Sequence, residues 1–483
     1  MKYVITAVIL IYSIGANAQQ NDTRVYSLGE CIEIALENNL SVKLSELDNQ
    51  NTEINLLQSR MDRLPNFNLG GGYGINWGRS IDPTTNDFIN QRINFSSFGG
   101  SSSLTLFNGR VINNSIKRDE LNAQAAQNNL ERTRNTVAMD VTGLYLDVIF
   151  NRELEQNSQS QMAITQQQLD RTTKLVDAGG LPITNRLDLE AQLATNEVDL
   201  INAENRLSLS LLNLKQALQI PGDQPFDIVV PELELNATIE IVPSTNEIYL
   251  DALATLPEVR SADLNVESSI MGMRVAQGSL YPTLSLDGSL RTNFSNFANR
   301  ARPIFEGTSV EEFEIGYLTN NPTQTVSRME EVRKIVRIDD DFTFTEQFDE
   351  NLSKSLSLNL QIPIFNKWRT RNSMQRARLT NEQAEINAEQ TRNQVRQSIE
   401  TARNNASAAL KSFQASTRQV SALEQTFTNV ENRYNLGVAN FVDYQVASSN
   451  LFQARSDLTR AKYEYIFRLK ILDFYQGKPL SIE

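Results

Sequence analysis

Two rhythms of apolar and polar positions run through this chain. In the first, Leu189, Leu193, Asn196, Leu200, Ala203, Leu207, Ser210 and Leu214 follow steps of four and three, the heptad seam of a long helix lying against a partner. From Arg110 to Ala178 there is one glycine, Gly143, and no proline; the run breaks at Gly179-Gly180-Leu181-Pro182 and then continues to Ile220. This spacing predicts a helical hairpin over 110–220 with its tip at 178–184. At a rise of ~1.5 Å per residue, Val111 to Asp177 would span on the order of 100 Å. In the second rhythm the period is two. Phe67, Leu69, Gly71, Tyr73, Ile75 and Trp77 alternate with asparagine and glycine, and Leu284, Leu286, Gly288, Leu290, Thr292 and Phe294 alternate with mostly polar residues. The same holds for Leu356, Leu358, Leu360, Ile362 and Ile364. Strands are expected at 66–78, 283–294 and 353–364, with a fourth at 98–107 that Ser101-Ser102-Ser103 blurs.

Both rhythms occur twice. Adding 258 carries Phe107-Asn108 onto Phe365-Asn366, Gly179 onto Gly437, and the seam onto Ala447, Leu451, Ala454, Leu458, Ala461, Tyr465, Arg468 and Leu472. Upstream, Ala35-Leu36 and Leu64-Pro65 map onto Ala252-Leu253 and Tyr281-Pro282 with an offset of 217. The offsets differ by 41 residues, so the second copy carries an insertion between Pro282 and Phe365. The expected organisation is a first repeat at 19–222 (helix 28–64, two strands, a hairpin), a linker at 223–245, a second repeat at 246–476, and a short tail at 477–483. Within the second repeat come helix 246–281, strands 283–294 and 353–364 around an external, mobile insertion at 295–352, and hairpin 366–476 with its tip at 435–441.

Residues 1–18 carry Lys2, an apolar run from Val4 to Ile14 and Ala16-Asn17-Ala18, the pattern of a secretory signal peptide. No later stretch has the length and apolarity of a membrane-spanning helix. The strands, about 9 to 13 residues each, instead have the length and alternation of transmembrane barrel strands. A barrel leaves no edge in lipid, and four strands close around nothing, about eight being the working minimum. Several chains are therefore required, and three would supply about twelve strands. Trp77 at the loop end of the first strand and Trp368 after the fourth suit aromatic girdles at opposite interfaces; Trp368 could equally cap a helix packing site. Arg110 and Lys367 are placed at headgroup depth, although a solvated helix face would look similar. Polar strand positions Ser285, Asp287, Ser289, Ser355, Ser357, Asn359 and Gln361 would line a watery lumen, since lipid will not accept them.

Chemistry-bearing motifs are missing. The chain has 45 basic and 58 acidic residues, a formal charge of −13, and no basic run of the kind nucleic acid requires. It has no histidine and one cysteine, Cys31, which removes the commonest general base and the common zinc ligand sets, and no phosphate loop or nucleophile elbow is present. No catalytic residue, metal or cofactor is expected. Cys31 reads as a small buried apolar residue.

Ala35-Leu36-Glu37-Asn38-Asn39, Leu64-Pro65 before a strand, Phe107-Asn108-Gly109-Arg110 after one, and Tyr434-Asn435-Leu436-Gly437 at the second tip, together with their order and duplication, resemble the TolC-like outer membrane efflux proteins. The resemblance covers essentially the whole mature chain. It implies a homotrimer, with a twelve-stranded outer-membrane barrel continuing into a twelve-helix periplasmic tunnel that meets an inner-membrane pump through a periplasmic adaptor. It makes 223–245 an equatorial belt and implies that Gly179 and Gly437 mark adaptor-docking turns. Tyr434 and Asp443 would stand at the periplasmic gate, and Asn185 stands where the first repeat often has an acid. Asp443 also reads as part of a helix start capped by Asn440, and both readings stay open. The competing expectation is a secreted or surface coiled-coil scaffold that transports nothing, which accounts for the heptads and the acidity but not for strands with two unlike faces.

Overall fold

The computed structural model describes residues 25–84, 86, 88–231, 244–297, 302–339 and 342–478. The signal peptide expected at 1–18, most of the expected linker (232–243) and the last tail residues lie outside the described residues. The first repeat runs β1 (Val25–Tyr26), α1 (Leu28–Asn38), α2 (Leu40–Met61), β2 (Asn68–Asn76), a short hairpin of β3 (Arg79–Ile81) and β4 (Phe88–Asn90), β5 (Ile93–Phe107), α3 (Val111–Asp177) and α4 (Ile183–Ala217). After β6 (Asp227–Ile228) come α5 (Thr245–Thr255), α6 (Pro257–Gly278), β7 (Thr283–Ser295), β8 (Arg302–Leu318), β9 (Asn321–Asp339), α7 (Phe344–Glu350), β10 (Ser353–Gln361), α8 (Arg369–Asn435) and α9 (Phe441–Tyr475).

Observed elements carry the two offsets residue for residue. Helices α3 and α4 shifted by 258 give the bounds of α8 and α9, and α1 and α2 shifted by 217 give those of α5 and α6. Local chemistry repeats as well. Ser27 and Glu30 form a capping box at α1, and Ser244 and Glu247 form the matching one at α5, where hydrogen bonds from Ser244 hold the Glu247 carboxyl below its usual range.

Two expectations need correction. The single helices 28–64 and 246–281 are each broken in two. At Asn39 the backbone turns extended and the side-chain Oδ1 accepts from Ser41 N at 2.8 Å, restarting the helix as a new cap. At the matching place Pro257 opens α6 and forces Leu256 out of helical conformation. The insertion expected at 295–352 contains the β8–β9 antiparallel hairpin and the capped helix α7. Its sign in the sequence was Thr343-Phe344-Thr345-Glu346, another capping box. Strand β5 also starts earlier than expected, at Ile93, a fully buried residue.

The chain divides into two compact units. The described residues of one lie within 1–54, 120–268 and 381–483, those of the other within 55–119 and 269–380. In the first, Leu28, Cys31, Ala35, Val141, Tyr145 and Ile149 form a core with Leu214, Leu218 and Ile228. The parallel β1–β6 pair lies on it, held by Tyr145 donating to the Val229 carbonyl and by an ion pair of Arg152 with Asp227. Burial pushes the Cys31 thiol up to about 12, the inert packing residue expected.

Candidate functional site

The second unit is organised by a four-stranded antiparallel sheet in the order β10-β7-β5-β2, so the central pair β5–β7 joins the two repeats and the outer strands each have an unpaired edge among the described residues. Its register places residues of one kind on one face. Ser289 pairs with Ser101 and Ser355, Asp287 with Ser103 and Ser357, and Ser285 with Thr105 and Asn359. All seven polar positions singled out from the sequence therefore share a face: Ser285, Asp287, Ser289, Ser355, Ser357, Asn359 and Gln361. They are linked there. The Ser289 and Ser355 hydroxyls are 2.7 Å apart, Asn359 Nδ2 donates to Asp287 Oδ2 at 2.6 Å, and Ser285 Oγ donates to the same oxygen at 2.8 Å.

The opposite face is apolar. Leu286 has Leu104 and Leu358 beside it, and Leu284 has Leu360. The leucines of β10 and Leu69 and Tyr73 of β2 are exposed in the single chain, leaving a broad uncovered apolar surface. Alternation is what makes one sheet amphipathic: successive side chains point to opposite faces, and register keeps each set together. In β2 the glycines make room for neighbouring rings, since a Cβ on Gly74 would meet the Phe95 ring at 2.4 Å and one on Gly71 the Phe98 ring at 3.0 Å.

Aromatic residues gather at one end of the apolar face. Phe98, Phe294, Phe344 and Phe348 form a cluster with ring centroids 5.2 to 6.3 Å apart. Helix α7 is pinned there by the buried Gln347, whose Oε1 accepts from Ser295 N at 2.9 Å and whose Nε2 donates to Ser295 O at 3.1 Å. This helix is a feature that period-two reasoning could not find. Trp77 follows β2 at that same end, exposed, while Trp368 follows β10 at the other.

At the strand-to-helix junctions two consecutive residues take left-handed backbone in each repeat: Gly109 and Arg110 in the first, Lys367 and Trp368 in the second. Three of these four are not glycine, which marks the junctions as tightly determined by their surroundings. The Arg371 guanidinium lies 4.4 Å from the centroid of the Trp368 ring, so this tryptophan does pack on a helix side chain. Arg110 and Lys367 thus stand at equivalent junctions, one residue out of step.

The hairpin tips are built alike. Gly179 and Gly437 have φ of +76° and +72°, and each ends its helix with paired backbone bonds, Gly179 N to Val176 O and Gly180 N to Leu175 O in the first, Gly437 N to Tyr434 O and Val438 N to Arg433 O in the second. Asn440 caps α9 by accepting from Asp443 N at 2.8 Å, while Asp443 itself is exposed. Tyr434 stacks on Tyr444 at 5.0 Å beside Phe441, and burial raises the Tyr444 hydroxyl to about 12. The Tyr434 hydroxyl is buried with no hydrogen-bond partner among the described residues. Asn185 lies in the first turn of α4, its backbone N–H donating to Pro182 O. Arg171 Nη1 donates to Asn435 Oδ1 at 2.7 Å, tying α3 to the second tip. The structure thus brings Tyr434 and Asp443 to one tip and leaves Asn185 at the other.

Among the described residues no helix is long and apolar enough to cross a membrane, and no group of His, Cys, Asp and Glu is placed to hold a metal ion.

Comparison with known proteins agrees with this geometry. A family model described as outer membrane efflux protein matches residues 31–218 and 248–477. The outer membrane protein TolC of Vibrio cholerae is 22% identical over 420 residues, covering 87% of this chain and 83% of its own. Of solved structures, the CusC channel superposes with a TM-score of 0.71 at 16% identity, covering 94% of this chain and 92% of its own. VceC from Vibrio cholerae does so with a TM-score of 0.71 at 14% identity, covering 94% and 97%. These likenesses establish a shared fold.

Proposed function

Because the chain belongs to the outer membrane efflux protein family, and so is an outer-membrane protein with a large periplasmic helical portion, we propose that it works as a homotrimeric exit duct. In this reading three chains close one twelve-stranded barrel in the outer membrane and one helical tunnel below it. Cargo delivered by an inner-membrane pump and periplasmic adaptor then leaves passively, as the outer component of a tripartite efflux or type I secretion system.

The observation that carries this reading is the sheet with two unlike faces and two open edges. In hydrocarbon an unpaired strand edge costs several kcal/mol per backbone group, so β2 and β10 must find partners, and four strands are too few to find them in each other. The leucine face suits lipid and the serine-asparagine face suits water, which makes the interior of the closed barrel an aqueous path. Thirteen residues in β7, tilted at about 40°, cover roughly 30 Å, the thickness of a hydrocarbon core. Trp77 and Trp368, at opposite ends, then fall at the two interfaces, with Arg110 and Lys367 at the periplasmic headgroups.

At the other end of the helices the gate is formed by the tips. The unpartnered Tyr434 hydroxyl finds its bond across to a neighbouring helix of the closed ring, Asp443 contributes one carboxylate per chain to a ring at the entrance, and Gly179 and Gly437 present the turns to the adaptor. Transport here involves no bond-making, so the wall polarity and the tip charge set what passes. Planar-bilayer recording of the purified protein tests this: discrete conductance steps with cation preference are expected, reduced in Asp443→Asn. Unchanged selectivity in that variant removes the ring reading and leaves Asn440-mediated capping as the sole role of the segment; absence of any conductance, including in Tyr434→Phe, removes the duct.

A further inference from the structure

The four paired strands carry very little charge, and we infer that the two charges on their polar face, Asp287 and Arg291, form opposed belts inside the lumen that set how the barrel treats ions of each sign. The belts exist only in the three-chain duct proposed above, and this role rests on that reading. Within Asn68–Asn76, Ile93–Phe107, Thr283–Ser295 and Ser353–Gln361 the charged residues are Asp287, Arg291 and Lys354 alone.

Register sorts these three by face. Asp287 pairs with Ser103 and Ser357, and Arg291, four residues further along β7, pairs with Gly99 and Ser353. An even spacing along a strand keeps both on one side, the side of Ser285 and Ser289. Lys354 pairs with Leu290 and so belongs to the leucine face. The polar face therefore bears one acid and one base and is otherwise built from serine, threonine, asparagine, glutamine and glycine over most of its length.

Neither charge is cancelled where it stands. Asp287 Oδ2 accepts from Ser285 Oγ at 2.8 Å and from Asn359 Nδ2 at 2.6 Å, and both donors are neutral, so the carboxylate is held in place with its charge intact. Arg291 is exposed and has no ion pair among the described residues. Its surroundings leave it room. The residues in line with it on β5 and β2 are Gly99 and Gly70, which project nothing, and with Gly72 and Ser97 they border a hollow of about 420 Å³ that reaches Arg291. A long cationic side chain over a floor of glycine and serine is the most prominent group on that part of the wall.

Three copies repeat each charge three times, at two levels. Asp287 lies nearer the α6 end of β7 and Arg291 nearer the loop end, so outgoing cargo meets a negative belt and then a positive one. Four residues of strand separate them by about 13 Å, or roughly 10 Å along the axis of a barrel whose strands tilt by about 40°. That exceeds the Debye length of about 8 Å at physiological ionic strength, so each belt acts on passing ions by itself and neither neutralises the other. Cations concentrate at the Asp287 level and anions at the Arg291 level, as charged rings do in other pores. The selectivity of the barrel is then the balance of the two, and removing either charge tips it towards the other sign.

Reversal potentials of the full-length protein in a planar bilayer, under a gradient of dilute KCl, read that balance, with the hairpin tips the same in every form compared. Asp287→Asn is expected to lower the cation-to-anion permeability ratio by about twofold or more, and Arg291→Gln to raise it by a similar factor. Lys354→Gln, on the leucine face, should leave it as it was. In about 1 M KCl, where the Debye length is about 3 Å, all forms should converge. A second measurement stands even where Asp287→Asn does not assemble. In a Cys31→Ser background, Arg291→Cys should react with methanethiosulfonate reagents, the ethylammonium form returning the ratio towards wild type and the ethylsulfonate form raising it further. Shifts of the same sign from Asp287→Asn and Arg291→Gln, or no shift in dilute salt, overturn the belts and leave the duct standing. A shift from Lys354→Gln as large as that from Arg291→Gln overturns the assignment of faces and the belts with it. Absence of conductance from every form overturns the duct and the belts together.

Discussion

Substituting alanine at Gly109 and at Gly437 separates two costs that the strand-to-helix junctions and the tips distribute differently. Both glycines are left-handed, with φ of +63° and +72°. An L-residue there loses about 1–2 kcal/mol. At Gly437 a new Cβ would meet nothing within 4 Å, so that loss is the whole effect. At Gly109 the Cβ would lie 2.4 Å from the carbonyl oxygen of Gly278 and 2.7 Å from the Tyr281 Cβ, contacts that force the end of α6 away from the start of α3. Overpacking of this kind adds about 1–3 kcal/mol, bringing Gly109→Ala to roughly 2–5 kcal/mol against about 1–2 for Gly437→Ala. Guanidinium unfolding of the detergent-solubilised protein, followed by the fluorescence of its two tryptophans, reads the difference. Asparagine at position 437 should recover part of the loss, since it tolerates left-handed backbone, and at position 109 it should not. Equal destabilisation by the two alanines, or rescue by asparagine at 109, would refute the close-approach argument.

Three further outcomes follow from single contacts. Arg134→Ala and Arg392→Ala remove equivalent, partly exposed ion pairs, and each should cost no more than about 1 kcal/mol, with similar midpoints in denaturation; a much larger loss at one site would mean the repeats are not energetically alike. Cys31, buried and with its thiol pushed up to about 12, should resist maleimide at neutral pH in the folded protein and react after denaturation; rapid labelling of the native protein would place it elsewhere than the core. The Tyr444 hydroxyl has its pKa raised by burial from 10.0 to about 12, so the native state holds its proton more tightly than the unfolded chain. Its contribution to stability is complete below about pH 10 and declines as pH rises towards 12; Tyr444→Phe should flatten that part of the stability curve, and a curve identical to wild type would contradict it.

Much of this architecture was legible because it is periodic. Heptad steps at Leu189 to Leu214 and alternation at Leu284 to Phe294 are long enough to identify helix and strand without knowledge of neighbours, and the offset of 258 transferred one hairpin onto the other. Features without a period were harder. The breaks at Asn39 and Leu256 depend on a single side-chain cap and a single proline, which a run of helix formers hides. Helix α7 spans seven residues, too few for a 3.6-residue rhythm, and only its Thr343–Glu346 capping box announced it. The polar face of the sheet was readable position by position, but not the bonds gathering Ser285 and Asn359 on Asp287, since these depend on which strand lies next to which. For the same reason nothing local told that β5 and β7 would be the central pair, or that the Tyr434 hydroxyl would be left without a partner.

That incomplete state of the single chain, with open sheet edges at β2 and β10, is the centre of the account. Electron microscopy of the detergent-solubilised protein, averaged down its long axis, tests it most directly. The account predicts three copies in a ring around a water-filled lumen, each contributing four strands to one closed wall; a single copy, or a particle with no central channel, would contradict it.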